Sequence, residues 1–182
     1  MKLRKIKKLR KYFIFFMMYG VVGWLYEVFL EVVVYKWGFS NRGVLFGPYP
    51  PIYGFGALVF IILFYEFSQK KQPFFKKIAS IIIVFLGCAF AATLIELVTS
   101  YILEIITGSW PWQTYTDYTY NFQGRIALSP SVRFGLGGVF FIYVLQPNFE
   151  KIVNSFSEKN LVIISSSLFI IVFLDFLFML LF

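Results

Sequence analysis

Five long apolar stretches, separated by short groups of charged residues, constrain what this chain can fold into. Hydrophobic residues make up 59% of its 182 residues, and its mean hydropathy is +0.76, which is more than a soluble domain of this length can bury. About 20 helical residues cross the roughly 30 Å hydrocarbon layer of a bilayer. The sequence therefore predicts an all-α, polytopic helical membrane protein with about five transmembrane helices, at residues 12–35, 52–67, 78–106, 132–145 and 161–182.

The distribution of positive charge predicts how the chain is oriented. Lys and Arg fill seven of the first eleven positions, and four lysines follow the second apolar stretch. Because cytoplasmic segments carry the excess of Lys and Arg, both regions are expected inside the cell. With Lys151 and Lys159, this side holds thirteen of the seventeen basic residues. We expect a basic cytoplasmic amino terminus, residues 1–11, followed by one transmembrane domain, residues 12–182, whose carboxyl terminus is extracytoplasmic.

The same charge distribution indicates the kind of partner. The formal net charge is +8, but most of the excess lies where lipid headgroups would be, and each Lys or Arg there gains about 1 kcal/mol from anionic lipid. The expected partner is therefore the lipid bilayer of the cell membrane, and nucleic acid is excluded. Five spans are few for enclosing a pathway, so a homo-oligomer is a further expectation.

Several kinds of chemistry are excluded by residues that the sequence lacks. There is no histidine and a single cysteine, Cys88, so neither the usual zinc ligands nor a Ser-His-Asp triad can form. We expect no metal and no cofactor. The sequence also has no Gly-x-x-x-x-Gly-Lys-Ser/Thr motif, so energy from ATP would come from a separate nucleotide-binding subunit, with an ion gradient as the alternative.

Two predicted spans carry a polar stripe that ends in paired glutamates. Glycines precede Glu27 and Glu31, and small residues precede Glu96 and Glu104. At 100° per residue, the first stripe covers an arc of about 80° and the second about 120°, so each is one helix face. Carboxylates in hydrocarbon are costly and therefore functional candidates. Glu27 and Glu96 are the candidate bases or proton carriers, Glu31 and Glu104 are expected to reach water, and Asp175 is open to a functional role or an interhelical hydrogen bond.

Glycine also indicates where helices pack closely. A residue without a side chain lets a neighbouring backbone or a Phe ring approach a membrane helix. We expect such contacts at Gly20, Gly23, Gly135 and Gly138.

Two connections are unlike ordinary loops. Residues 38–56 contain five glycines and three prolines, which break helices, but their aromatic content predicts a re-entrant or buried loop after helix 1. In it, the amides at Gly43 and Gly47 and the guanidinium of Arg42 are able to approach an anionic group.

Residues 107–131 are rich in Trp and Tyr and predict an aromatic lid between helices 3 and 4. For the two tryptophans, an aromatic belt at the outer membrane surface is the alternative.

The order and spacing of several short motifs over residues 20–140 resemble a bacterial membrane family of type IV ABC-transporter proteins, the CmpB-like family. The resemblance implies membrane topology and a permease role and guides the choice of site residues; it implies no particular substrate. The motifs that carry it are Gly23-Trp24-Leu25-Tyr26-Glu27, Asn41-Arg42-Gly43, Gly47-Pro48, Pro51-Ile52-Tyr53-Gly54-Phe55-Gly56, Glu96 with Thr99, Asp117-Tyr118, Asn121, Gly124-Arg125-Ile126 and Leu128.

These observations predict one mixed-charge cavity that opens to the extracytoplasmic side. The favoured function is a transporter or permease component. A membrane-embedded enzyme acting on a lipid or lipid-linked substrate, with Glu27 or Glu96 as base, and an accessory assembly protein stay open as alternatives. The sign of the ligand's charge also stays open. The predicted substrate-binding residues are Glu27, Asn41, Arg42, Gly43, Tyr53, Glu96, Asp117, Tyr118, Asn121 and Arg125.

Overall fold

The computed structural model describes residues 2–41, 43 and 45–181, so Arg42 lies outside the described residues. Those residues contain five helices that are long and apolar enough to cross a membrane, and we label them α1 to α5. One two-stranded sheet is also present. The prediction of an all-α membrane protein with five spans is therefore confirmed. In chain order the helices are Leu3–Val34, Pro51–Ser68, Phe74–Thr107, Leu128–Asn154 and Glu158–Leu181.

Three of the five helices change from α-helical to π-helical hydrogen bonding along their length. In α1 the α-helical part, Lys2–Phe29, is followed by a π-helical turn, Leu30–Val34. The N–H of Tyr35 then donates to the carbonyl of Leu30, five residues back, at 2.8 Å. Such turns are rare and each accommodates one extra residue. The corresponding π-helical turns are Ile61–Tyr65 in α2 and Phe141–Leu145 in α4.

The helices extend beyond the predicted apolar stretches at several ends. In α1 the helix includes the basic run from Lys2 onward, because Lys and Arg are good helix formers whether or not they lie in lipid. Pro51 begins α2, a position where its missing N–H costs nothing. At the end of α3, Gly108 adopts a left-handed conformation with φ +79° and donates its N–H to the carbonyl of Glu104 at 2.9 Å.

The chain divides into two compact units, which are described separately. The first unit comprises Met1–Val59 and Pro147–Phe182. In it α1 packs along α5, and the guanidinium of Arg10 donates to the hydroxyls of Ser165 at 2.7 Å and Ser166 at 3.1 Å. Its core contains Met17, Leu45 and Tyr49, so part of the loop after α1 is buried with the helices.

The second unit comprises Phe60–Gln146 and is built mainly on α3 against α4. Val84 and Cys88 of α3 and Ile142 of α4 are fully buried. Two side-chain hydrogen bonds join the helices, from Thr93 to Ser131 at 2.6 Å and between the hydroxyls of Ser80 and Tyr143 at 2.9 Å. Such bonds suit membrane helices, where a polar group needs a partner within the protein.

The four glycines expected at close contacts all lie against a neighbouring residue. A Cβ at Gly20 would fall 3.2 Å from the Cβ of Tyr49, and one at Gly23 would overlap Tyr53. In the second unit a Cβ at Gly135 would lie 2.7 Å from the Phe85 ring, and one at Gly138 would overlap Cys88. The prediction of close contacts is confirmed at all four positions, but the nearest neighbour is a Phe ring only at Gly135.

Candidate functional site

The loop that follows α1 is held by a short chain of polar contacts within the first unit. The indole N–H of Trp24 donates to the side-chain oxygen of Asn41 at 2.8 Å. The Asn41 amide group donates in turn to the carbonyl of Phe46 at 2.7 Å. Asn41, a predicted site residue, therefore holds the loop in place. Gly43 beside it is exposed and has φ +136°, a conformation that other residues rarely adopt.

Asp175 of α5 binds the other end of this loop. Its carboxylate accepts the backbone N–H groups of Phe46 at 2.9 Å and Gly47 at 2.8 Å, and the hydroxyl of Tyr49 at 2.6 Å. Burial and the neighbouring carboxylate raise the pKa of the Tyr49 hydroxyl well above its usual range, so this group stays protonated and remains a donor. Asp175 was open to a functional role or an interhelical hydrogen bond. The structure shows that it accepts hydrogen bonds, but from the loop after α1 and not from another helix.

The two glutamates of α1 have different surroundings. The hydroxyl of Tyr53, at the start of α2, donates to Glu27, and Glu27 is half-buried. Glu31 is only 2% exposed, and one of its oxygens accepts the backbone N–H of Ser40 at 3.3 Å. The expectation that Glu31 reaches water is therefore wrong, because the chain after α1 turns back over it.

The first unit also contains an apolar groove of about 440 Å³. Tyr49 supplies the sole hydroxyl among its lining residues, and Asp175 already binds that hydroxyl. A surface of this composition suits hydrocarbon and offers no recognition of a polar ligand. The groove is lined by Met17, Met18, Val21, Val22, Tyr49, Phe149, Leu168 and Ile171.

Arg125 is the best-enclosed charge described in the second unit, at 7% exposure. Its guanidinium forms an ion pair with Glu104 of α3 and lies 4.0 Å from the ring centre of Tyr101 and 4.1 Å from that of Trp110. A contact to the hydroxyl of Ser100 is longer, at 3.4 Å. Glu104 therefore has Arg125 as its ion-pair partner and is also partly exposed to solvent. The ion pair and the two ring contacts hold the Arg125 guanidinium in place, but its buried Nε has no hydrogen-bond partner among the described residues.

Replacing Arg125 with lysine is expected to lower the free energy of unfolding by about 2 kcal/mol, because lysine keeps the charge opposite Glu104 but has no flat group to stack between two rings. The measurement is the thermal unfolding midpoint of the purified chain in detergent. Arg133→Lys is the matched control, since Arg133 is exposed. Equal midpoints for the two variants would contradict the stacking argument.

The segment between α3 and α4 folds around the backbone next to Arg125. A 3-10 helix, Gln113–Asp117, precedes a hairpin whose strands, Asn121–Phe122 and Ile126–Ala127, pair antiparallel. The indole N–H groups of Trp110 and Trp112 donate to the carbonyls of Gly124 at 3.1 Å and Arg125 at 2.8 Å. Asn121 accepts the N–H of Gly124 at 2.9 Å and therefore supports the turn.

Glu96, on the same helix face as Glu104, has a hydrogen-bond partner at only one of its two carboxylate oxygens among the described residues. Its Oε1 accepts the hydroxyl of Tyr115 at 2.8 Å. Its Oε2 is buried and has no hydrogen-bond partner within the part of the chain that the structure describes. Burial, followed by the charge and hydrogen bond of Glu96, raises the pKa of Tyr115 above its usual range. Tyr115 is thus a fixed donor to one side of the carboxyl group.

Two further predicted site residues, Asp117 and Tyr118, follow Tyr115 closely along the chain. The rings of Tyr118 and Tyr115 meet edge to face with centres 5.7 Å apart, whereas Asp117 between them is exposed. The predicted residues therefore fall into two groups, with Glu27, Asn41, Gly43 and Tyr53 in the first unit and Glu96, Asp117, Tyr118, Asn121 and Arg125 in the second.

Sequence reasoning missed several partners of these residues. The pairing of Tyr115 with Glu96 and of Glu104 with Arg125 depends on contacts between residues 19 and 21 positions apart along the chain, which the sequence does not reveal. Asp175 binds mainly backbone amides, which have no sequence signature. Its isolation among apolar residues was the one signal available.

One family model, described as "Putative ABC-transporter type IV", matches residues 14–180. No curated protein and no solved structure matches the chain.

Proposed function

This chain belongs to the CmpB-like family of type IV ABC transporters, and from that premise we propose that it contributes the cargo-binding membrane part of a transporter. Its family and its five apolar helices make it a multi-pass, transporter-type membrane protein. We infer further that the cargo binds a mixed Glu/Arg polar site open to the extracytoplasmic side. Among the predicted residues, those of the second unit that would contribute are Glu96, Asp117, Tyr118, Asn121 and Arg125.

The single observation that carries this proposal is the incomplete pairing of Glu96. A carboxylate kept only to join helices is expected to have its oxygens bonded, because an unpaired buried polar atom costs about 1–3 kcal/mol. Glu104 is paired with Arg125, whereas Oε2 of Glu96 has no bond to any described residue, and neither has the buried Nε of Arg125. A carboxyl group within a membrane span that has one oxygen without a hydrogen bond favours ligand or proton binding over a purely structural role.

The orientation of the site is inferred from charge. The basic residues at the start of α1 and before α3 favour a cytoplasmic amino terminus. With five spans, the ends of α1 and α3 that carry Glu31 and Glu104 then lie toward the outside. Because the sequence has no P-loop motif, a separate nucleotide-binding subunit is the proposed source of energy, and assembly as a homo-oligomer is part of the same proposal.

Solute uptake tests this function directly. Membrane vesicles from the native host, lacking the gene or carrying it on a plasmid, are incubated with a mixture of small metabolites, and their contents are measured by mass spectrometry. Vesicles with the parent chain are expected to accumulate at least one solute that the deletion does not. Glu96→Gln should lower that accumulation on the order of tenfold, since losing a charged contact of about 1.4 kcal/mol changes binding tenfold.

Glu66→Gln is the matched control, because Glu66 is an exposed acidic residue at the end of α2. This variant should accumulate solute like the parent. Identical solute profiles for the deletion and the parent would overturn the transport function. If Glu96→Gln accumulates as much solute as the parent, the transport function stands but Glu96 is not part of the cargo site.

A further inference from the structure

The two oxygens of the Glu96 carboxyl group have unequal surroundings. Oε1 accepts a hydrogen bond from Tyr115 at 2.8 Å, whereas Oε2 is buried without a partner among the described residues. An ionised carboxylate has about four lone-pair positions to satisfy, and in a low-dielectric setting one donor compensates little of its charge. A neutral carboxyl group fits this setting better, because its charge has been removed by a proton.

Two neighbouring hydroxyl groups on α3, those of Thr93 and Ser100, are bonded elsewhere. Thr93, one turn before Glu96, donates to Ser131 at 2.6 Å, and Ser100, one turn after it, donates to the carbonyl of Leu97 at 2.7 Å. Neither is therefore available as a second donor to Glu96.

The charged and titratable groups around Glu96 are few. The segment before the hairpin contributes Tyr115 and Tyr118, and α4 contributes Arg133, whose positive charge acts on the hydroxyl of Tyr115. The guanidinium of Arg125 is neutralised by Glu104. Arg133 is exposed, so its charge is partly screened and offsets the negative charge on Glu96 only in part.

We propose that Glu96 is a proton-binding site, protonated at Oε2 in this arrangement, and that gain and loss of this proton set the charge of the proposed cargo site. Release breaks the O–H bond, leaves the electron pair on the carboxylate and transfers the proton to water. Tyr115 donates to Oε1 in both states. The effect on cargo rests on the proposed function, whereas the proton site does not depend on it.

Infrared spectroscopy of the full chain in lipid nanodiscs, titrated with pH, tests the proton site. A protonated carboxyl group absorbs at a C=O stretching frequency well separated from that of carboxylate. Above about pH 6, where ordinary Asp and Glu side chains are ionised, the parent and Glu66→Gln are expected to keep a protonated-carboxyl band that disappears as the pH rises further, and Glu96→Gln is expected to lack it.

A second variant keeps the test decisive if Glu96→Gln does not fold. Tyr115→Phe retains the glutamate but removes the hydrogen bond to Oε1, so the band should remain and shift to higher frequency. Absence of a titrating band in the parent, or an unchanged band in whichever of Glu96→Gln and Tyr115→Phe folds, would overturn the proposal.

The two proposals fail in different ways. A chain that shows the band but moves no solute retains the proton site and loses the transport function. A chain that moves solute but lacks the band retains transport and loses the proton site.

Discussion

Replacing Gly23 with leucine is expected to leave little folded protein. A Cβ at this position of α1 would lie 2.5 Å from the Cβ of Tyr53 and would overlap its ring. The Cβ is fixed to the backbone of α2, so a change of rotamer cannot remove the clash. Overpacking typically costs about 1–3 kcal/mol, and any shift of Tyr53 also breaks its hydrogen bond to Glu27. We expect a cost at or above the upper end of that range.

The yield of monodisperse protein by size-exclusion chromatography, with the thermal midpoint of what remains, measures this effect. Gly56→Leu is the matched control, because Gly56 lies on the same helix as Tyr53 and nothing lies within 4 Å of the position of its Cβ. That substitution should be tolerated. Adding Tyr53→Ala should restore part of the yield to Gly23→Leu. If the double variant folds as poorly as Gly23→Leu alone, the clash with the tyrosine ring is not the cause.

Replacing Asp175 with alanine is expected to release the loop after α1. Three donors, the N–H groups of Phe46 and Gly47 and the hydroxyl of Tyr49, lose their shared acceptor. Hydrogen bonds to a charged group contribute about 1.5–3 kcal/mol each when buried, but Phe46 is exposed and water replaces part of the loss. We expect a total destabilisation of about 3 kcal/mol, concentrated in residues 45–49.

Hydrogen exchange followed by mass spectrometry gives a local readout of this change. Peptides covering residues 45–49 should exchange faster in Asp175→Ala, while peptides from α3 should not. Asn160→Ala serves as control, since Asn160 is an exposed polar residue on the same helix. Unaltered exchange at residues 45–49 would show that Asp175 does not hold the loop.

Hydropathy predicted the five helices because each segment that crosses lipid must itself be apolar, whatever the rest of the chain does. Each span needs a run of apolar residues, and that run is visible without knowledge of its neighbours. The ends were less predictable, because helices continue into polar sequence. The basic residues from Lys2 extend α1, and Gln146 and Asn154 belong to α4 although they lie beyond the apolar run.

The candidate site was predictable only in its residue types. Isolated carboxylates in apolar surroundings identified Glu27, Glu96 and Asp175, since each needs compensation within the protein. Their partners depend on tertiary structure, and for Asp175 two of them are backbone amides. Glu31 illustrates the same limit, because its burial results from the path of the chain near Ser40 and not from its position on the helix.

Trp110 and Trp112 have a consequence for how the protein responds to its lipid environment. Tryptophan anchors a membrane protein when its indole N–H bonds at the headgroup level, but both indoles here donate to backbone carbonyls beside Arg125. Both indoles are therefore bonded within this segment, and the ion pair between Arg125 and Glu104 joins the segment to α3. When the thickness of the surrounding bilayer changes, we expect helix tilt to absorb the mismatch and these internal contacts to be maintained.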